Sequence, residues 1–305
     1  MSNIRKCNIN TVKLYNIKYT LALLVIMVCV KVKAQQDPSF TMYNLNMNVI
    51  NPAYAGSNDG LEFTTLIKGQ WVGIKDAPNT QTLSISSPIG KNIGLGLSIV
   101  NDQVYIAKET DVYIDFSYKL KLSENNDLFL GLKAGASFFN ADLNSLNIND
   151  PLFNQNVNRI NPNFGAGAYL KGKNYYVSLS IPVLLQSKRF EKQGNVVTSA
   201  SDKPHVYLGS GYTFDLEGEY NLKITPSFMT RYVSGVPLSI DVTTTLGLLD
   251  KVEFGVSHRL KESFSGLLMF QFIKEFKVGY AYEHAINDIS KYSSGSHEFI
   301  FKFLF

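Results

Sequence analysis

The chain has 305 residues, of which 29 are Lys or Arg and 25 are Asp or Glu, giving a formal net charge of +4. Six of the basic residues and none of the acidic ones lie in residues 1–34, so residues 35–305 carry a net charge of −2. This balance does not indicate nucleic-acid binding, which needs a basic surface. Both cysteines, Cys7 and Cys29, lie in residues 1–34, so the rest of the chain has no disulfide and no cysteine nucleophile.

Residues 1–34 are typical of an export signal. Basic residues precede an apolar run from Leu21 to Val30, which is too short for a membrane-spanning helix of about 20 residues. Ala34 follows in an A-x-A-like context, and we therefore expect a cleaved signal peptide that ends before Gln35. The alternative is a lipoprotein acylated at Cys29, although Val28 before it is larger than the small residue that such a site favours.

Residues 35–60 differ in character from the rest of the chain. Phe40, Tyr43, Met47 and Ile50 are spaced at i, i+3, i+7 and i+10, which predicts a short helix. Because the residue before a proline disfavours the helical conformation, the helix is expected to stop at Asn51-Pro52.

Residues 61–305 show the two-residue period of β-strands. In the clearest case, from Asp111 to Leu122, apolar side chains alternate with polar or smaller ones. No stretch after Ser57 shows a convincing helical period. The pattern predicts fourteen strands, at residues 61–68, 81–88, 92–100, 110–122, 127–140, 163–171, 174–185, 205–214, 221–233, 238–249, 251–260, 264–273, 275–284 and 296–305.

The connections between these strands alternate in length. Those expected on one side are all short, whereas the other side includes the long connections 70–80, 141–162, 186–204 and 285–295. Short turns on one side and long loops on the other are typical of a bacterial outer-membrane barrel with an even number of strands. The sequence therefore predicts an all-β fold, an antiparallel transmembrane β-barrel of about 14 strands; the alternative is a soluble β-sandwich.

The last predicted strand carries four aromatic residues on one face. Phe299, Phe301, Phe303 and Phe305 alternate with residues of the other face, and the chain ends on the aromatic. Such a face would promote aggregation in water and is suited to lipid. A terminal aromatic residue also resembles the C-terminal signal by which Gram-negative bacteria recognise barrels, so we expect these four residues to act as the barrel-assembly signal.

The predicted inward face carries both acidic and basic side chains. This mixture favours ion pairs between opposite charges across the lumen over a selective ion pathway, which would need a ring of side chains with the same charge. The acidic residues are Asp111, Asp115, Asp241, Glu253, Glu283 and Glu298, and the basic ones are Lys119, Lys121, Lys133, Lys171, Lys223, Arg231, Arg259, Lys277 and Lys302. Glycine is also frequent on this face, and a strand glycine often marks close backbone approach. These glycines indicate a plug, and they are Gly94, Gly96, Gly131, Gly135, Gly165, Gly167, Gly209, Gly211, Gly255 and Gly279.

Nothing in the sequence indicates catalysis. The four histidines His205, His258, His284 and His297 lie on different strands or strand ends, with no H-E-x-x-H motif and no metal-ligand spacing. There is no G-x-S-x-G motif either, although a triad that assembles in space leaves no local signature. We therefore expect no enzyme, no metal site and no cofactor.

Three short motifs resemble those of one family. Gln35-Gln36-Asp37-Pro38 with Phe40 and Tyr43, then Asn51-Pro52-Ala53-Tyr54-Ala55-Gly56, resemble the opening of the PorP/SprF family of the type IX secretion system. The closing run Gly295–Phe299 is similar to the end of that family. On this basis the chain divides into a signal peptide (1–34), a family-motif segment (35–60) and an outer-membrane barrel (61–305).

The resemblance implies a non-enzymatic outer-membrane component of a secretion and gliding apparatus. Its implied partners are outer-membrane lipid, the periplasmic ring proteins of the system and secreted proteins with C-terminal sorting domains. The alternative is a porin-like or hydrophobic-solute transport barrel with an N-terminal hatch. The motif Asn51, Pro52, Ala53, Tyr54, Ala55 and Gly56 is the candidate partner or plug site, placed either in the lumen or on the periplasmic side.

Overall fold

The computed structural model describes residues 39–146, 156–186, 203–216, 218 and 220–305. The predicted signal peptide, the acylation alternative at Cys29 and residues 35–38 of the family-motif segment lie outside the described residues. So do parts of two of the predicted long connections.

The described residues after Gly60 form strands connected by turns and loops, as the two-residue period predicts. The first eight strands are β1 (Glu62–Gly69), β2 (Asn79–Ile89), β3 (Ile93–Val104), β4 (Ala107–Ser123), β5 (Asn126–Ala141), β6 (Val157–Gly172), β7 (Tyr175–Ile181) and β8 (His205–Tyr212). The others are β9 (Phe214–Leu216), β10 (Leu222–Val233), β11 (Ser239–Leu248), β12 (Val252–Arg259), β13 (Ser263–Ile273), β14 (Phe276–Ala285) and β15 (Ser296–Leu304).

These strands form one closed antiparallel barrel. Segments β8 and β9 are one barrel strand interrupted at Thr213, because both pair with β10, so the barrel has 14 strands. Each strand pairs with its neighbour in sequence, and β15 returns to pair with β1 over the register from Glu62 with Leu304 to Gly69 with His297. The predicted fold class is therefore confirmed.

Alternation along the strands separates a lipid face from a lumenal face. In β4, the outward residues Ile114 and Phe116 are 62% and 41% exposed, whereas the inward residues Asp115 and Ser117 are fully buried. Because an exposed apolar band round the outside of a closed sheet is stable only in lipid, this wall is suited to a membrane. The inward residues are buried because something fills that part of the lumen.

The two ends of the barrel differ, as the sequence predicts. The end that we call the short-turn end carries the tight connections 90–92, 124–125, 173–174, 249–251 and 274–275. The opposite, long-loop end carries the connections 70–78, 142–156, 182–204 and 286–295, together with short ones. Bacterial outer-membrane barrels keep short turns in the periplasm, so the short-turn end is the periplasmic end.

The helices are short. Before β1, the described residues form a 3-10 helix at Tyr43–Leu45, the α-helix α1 at Met47–Ile50 and a 3-10 helix at Pro52–Tyr54. Two more 3-10 helices in the described part of the chain lie in loops, at Leu143–Leu146 and Asp288–Lys291. The predicted helix is thus present as separate short helices, and α1 ends at Ile50, directly before Asn51-Pro52, where the sequence predicts that it stops. Among the described residues, no helix has the length and apolar character needed to cross a membrane.

Candidate functional site

Residues 39–60, which we call the lumenal segment, run through the inside of the barrel. Ser39 lies near the long-loop end, where the Lys68 ammonium donates to its carbonyl oxygen and the Arg259 guanidinium donates to its hydroxyl. Tyr54 lies near the short-turn end, beside Glu62 and Lys302. The segment therefore crosses the lumen from the long-loop end to the short-turn end before it enters β1.

Apolar side chains anchor the middle of the lumenal segment. Met42, Tyr43 and Met47 are each 2% exposed, and Ile50 is also buried. They belong to one buried apolar cluster with side chains from strands round the barrel, namely Leu66, Phe129, Tyr169, Met229, Leu267, Ala281 and Ile300. The core of this protein is thus the interface between the lumenal segment and the inner wall.

Asn51 shapes the family motif. Its side-chain oxygen accepts a hydrogen bond from the Ala53 amide at 2.9 Å and so caps the 3-10 helix at Pro52–Tyr54, where Pro52 occupies the first turn. Its amide nitrogen donates to the Ser178 hydroxyl at 2.8 Å and to the Ala168 carbonyl at 3.0 Å. Because Asn51 is fully buried, replacing it would remove these hydrogen bonds at a site closed to water.

Tyr54 connects the motif to the two strands that close the barrel. Its hydroxyl donates to the Glu62 carboxylate at 3.2 Å and accepts from the Lys302 ammonium at 3.2 Å. Its ring packs edge-on against Tyr169, with 5.4 Å between the ring centres. Through these two hydrogen bonds Tyr54 joins the family motif to both β1 and β15.

The motif lies directly on glycines of the barrel wall. A Cβ atom at Gly94 would lie 2.1 Å from the Ala55 carbonyl oxygen, and one at Gly167 would lie 2.0 Å from the Asn51 side-chain oxygen. Gly56 itself has φ +67°, and a Cβ atom there would lie 2.6 Å from the Gly94 Cα atom. A side chain at any of these positions would displace the motif.

The glycine pattern in the sequence predicts this packing only in part. Gly94, Gly96, Gly131 and Gly167 face the lumenal segment, and Gly279 lies beside Met42. Of the other five, Gly165 meets Pro182 in the connection after β7, and four meet neighbouring strands, namely Gly135, Gly209, Gly211 and Gly255.

An ionic cluster holds the beginning of the lumenal segment. The Glu298 carboxylate accepts hydrogen bonds from the backbone amides of Thr41 at 2.9 Å and Met42 at 2.8 Å. Lys68 lies 3.0 Å from Glu283 and 3.7 Å from Glu298. Arg259 adds contacts to Glu283 and Asp241 in the same cluster. Paired and hydrogen-bonded charges of this kind are tolerated in a buried site.

The other inward charges that pair also join opposite signs. Lys133 lies 3.1 Å from Asp115 and donates to the Val49 carbonyl of the lumenal segment, and Lys277 pairs with Glu253. Opposite signs pair as expected, but the pairs join adjacent or next-nearest strands along the wall, such as Asp115 of β4 with Lys133 of β5, and do not reach across the lumen. Sequence inspection missed Glu62 and Lys68, although the alternation of β1 places both on the same face as Thr64 and Leu66.

The predicted barrel-assembly residues lie on the lipid face. Phe299 and Phe301 are 47% and 43% exposed, and Phe305 is 71% exposed with its ring 4.3 Å from that of Phe303. The Phe305 amide donates to the Leu61 carbonyl at 2.9 Å, which fixes the chain end beside the start of β1.

A polar cleft of about 430 Å³ lies at the short-turn end of the lumen. It is lined by residues of the β6–β7 turn and of β9 to β13, including Asn174, Asp215, Thr225, Thr245 and Glu253. In the described part of the chain, no three His, Cys, Asp or Glu side chains are placed to hold a metal ion.

A family model described as type IX secretion system membrane protein PorP/SprF matches residues 32–303. No curated protein matches the chain significantly. The chain is similar to the outer membrane protein Omp33 of Acinetobacter baumannii, with 12% identity, a TM-score of 0.48 and coverage of 82% of this chain and 100% of that one. It is also similar to a Pseudomonas aeruginosa FadL homologue, with 13% identity, a TM-score of 0.45 and coverage of 83% and 91%.

These likenesses to solved structures, at such identities and with TM-scores below 0.5, carry no argument about function. The family match spans most of the chain, including the lumenal segment and the barrel wall that holds it. The chain therefore belongs to the PorP/SprF family and is an outer-membrane component of the type IX secretion system.

Proposed function

We propose that this protein is a sealed, non-enzymatic docking component of the type IX secretion system. It anchors periplasmic ring proteins at the outer membrane and holds secreted cargo with C-terminal sorting domains, rather than conducting that cargo through its lumen. Residues 1–34 are removed as the signal peptide during export.

The observation that carries this proposal is the lumenal segment. It is bonded to the wall at both ends and in the middle, through Glu298, Asn51 and Lys302 among others. Net contributions of buried hydrogen bonds are about 1 kcal/mol each, and more where one partner is charged, so withdrawing the whole segment would break many such contacts at once.

The size of the barrel supports the same conclusion. Barrels of about 16 to 18 strands leave an aqueous channel for solutes, whereas this one has 14 strands and a segment inside. A folded cargo domain does not fit such a lumen. Cargo is therefore held on an outer surface of the protein, and ring proteins dock at the short-turn end because that end faces the periplasm.

In the alternative function, the protein is a porin-like or hydrophobic-solute transport barrel, and the lumenal segment is a hatch that moves to open the lumen. The polar cleft at the short-turn end is the feature that favours it, since it is open polar space among inward-facing residues of the wall that no residue of the lumenal segment lines. The buried Asn51 and Glu298 contacts argue against an easily displaced hatch, because opening would leave buried polar groups without partners.

Purification from the native outer membrane in mild detergent tests the docking proposal. We expect periplasmic ring proteins and secreted proteins with C-terminal sorting domains to remain bound, and we expect surface attachment of this cargo to fail in cells lacking the protein. The matched control is an unrelated outer-membrane barrel purified in parallel. If neither class of protein is retained and cargo reaches the surface normally without the barrel, the docking proposal is wrong.

A further inference from the structure

The barrel is closed where its first and last strands meet. At this seam β1 pairs with β15, with Lys68 opposite Glu298 and Thr64 opposite Lys302. These strands are the most distant in sequence among the paired strands of the wall, so bringing them together has the largest entropic cost of any pairing in the sheet.

Both inward charges of β1 contact the lumenal segment. Glu62 accepts a hydrogen bond from the Tyr54 hydroxyl at 3.2 Å and a further one from the Asn58 side chain. Lys68 donates to the carbonyl oxygen of Ser39. The segment is therefore attached to β1 through residues near both ends of that strand.

Both inward charges of β15 contact the same segment. Glu298 accepts from the backbone amides of Thr41 and Met42, and Lys302 donates to the Leu45 carbonyl at 3.4 Å and to the Tyr54 hydroxyl. The apolar residue between them, Ile300, is 1% exposed in the cluster that contains Met42.

The same four charges also pair across the seam. Lys302 lies 2.9 Å from Glu62, and Lys68 lies 3.7 Å from Glu298. Two ion pairs thus join β1 to β15, and each member of each pair also holds the lumenal segment. The same four side chains therefore hold the lumenal segment and join the two strands of the seam.

We infer that the lumenal segment is the template on which the barrel closes. The segment, joined to β1 by the chain itself, binds the inner wall first and presents Thr41, Met42, Leu45 and Tyr54 to the arriving β15. β15 can therefore be held near β1 by its contacts with the lumenal segment before the backbone hydrogen bonds between the two strands form. The alternative order, in which a closed barrel admits the segment later, requires the chain end to thread through the lumen from one end to the other.

Folding and unfolding rates distinguish the two orders. The purified protein is refolded from urea into lipid vesicles, and both rates are measured for Glu298→Gln and Glu298→Ala. If the Glu298 contacts exist in the transition state for closure, the substitutions slow folding, and we expect about a tenfold decrease with little change in the unfolding rate. Glu298→Gln retains the size of the side chain and provides the measurement if Glu298→Ala does not fold.

Glu253→Gln is the matched control. Glu253 is also an inward carboxylate in an ion pair, with Lys277, but it lies on β12 and away from the seam. We expect its folding rate to stay within about twofold of the wild-type rate, since exposed or partly exposed pairs contribute little. Faster unfolding of the Glu298 variants at an unchanged folding rate, or equal slowing by Glu253→Gln, would overturn the inference.

Discussion

Gly131 of β5 and Ala53 of the lumenal segment are in direct backbone contact: a Cβ atom on Gly131 would lie 2.2 Å from the Ala53 nitrogen. A backbone that rests on another backbone leaves no room for adjustment by side-chain rotation. This contact fixes the depth at which the family motif lies against the wall, and it explains why glycine is needed on the lumenal face at this position.

Replacing Gly131 with alanine therefore tests the position of the motif. We expect Gly131→Ala to lower the free energy of unfolding by about 1–3 kcal/mol, the range typical of overpacking. Gly266→Ala is the control, because no atom lies within 4 Å of a Cβ atom there. Urea unfolding in vesicles measures both, and equal stability of the two variants would show that the motif does not lie on Gly131.

The lipid face can be tested with a charge. Phe116→Arg, on the outside of β4, should cost about 2–4 kcal/mol near the bilayer midplane. Thr245→Arg is the control, since Thr245 lines the polar cleft and offers an arginine access to water. Ser117 is not a suitable control, because it is fully buried and donates to the Ala55 carbonyl. Similar losses of stability at Phe116 and Thr245 would contradict the assigned faces.

Much of the barrel follows from the sequence because lipid imposes a strict alternation on every strand. The two-residue period predicts all fourteen strands, and most predicted bounds agree with the structure within a few residues. The largest difference is β6, which begins at Val157 and not at residue 163. Asn158, Asn161 and Pro162 indicate a loop by composition, yet full pairing with β5 keeps them in a strand. Tertiary pairing here overrides local propensity.

The path of residues 39–60 could not be obtained from the sequence. Their apolar spacing indicates a helix, but it does not say which wall the helix meets or on which side of the membrane it lies. The structure also shows that the partners of Glu298 are the backbone amides of Thr41 and Met42, and backbone groups leave no signal in a sequence.

The direction of threading leads to a prediction about topology. Because Ser39 lies at the long-loop end, an epitope inserted immediately before Ser39 should be accessible to antibody on intact cells. The same epitope in the turn at Asp250-Lys251, at the short-turn end, should be labelled only after the outer membrane is permeabilised. Labelling of both only after permeabilisation would show that the segment does not cross the lumen in this direction.

The chain end provides a test of assembly. Phe305→Ala removes the exposed aromatic that packs on Phe303, and we expect stable insertion to fall severalfold while synthesis is unchanged. Phe272→Ala is the control, as another outward aromatic that is 66% exposed but is not at the terminus. The measurement is the amount of heat-modifiable protein in the outer membrane. Normal insertion of the Phe305 variant would remove the assembly role proposed for the four closing phenylalanines.

The central claim is that this protein is a sealed docking component. The most direct test is single-channel recording of the full purified protein in a planar bilayer. A barrel held closed by the lumenal segment should show no stable conductance steps, whereas the Gly131→Ala variant, in which the motif is displaced, should show intermittent ones. Steady open-channel currents from the wild-type protein would contradict the account and favour the transport alternative.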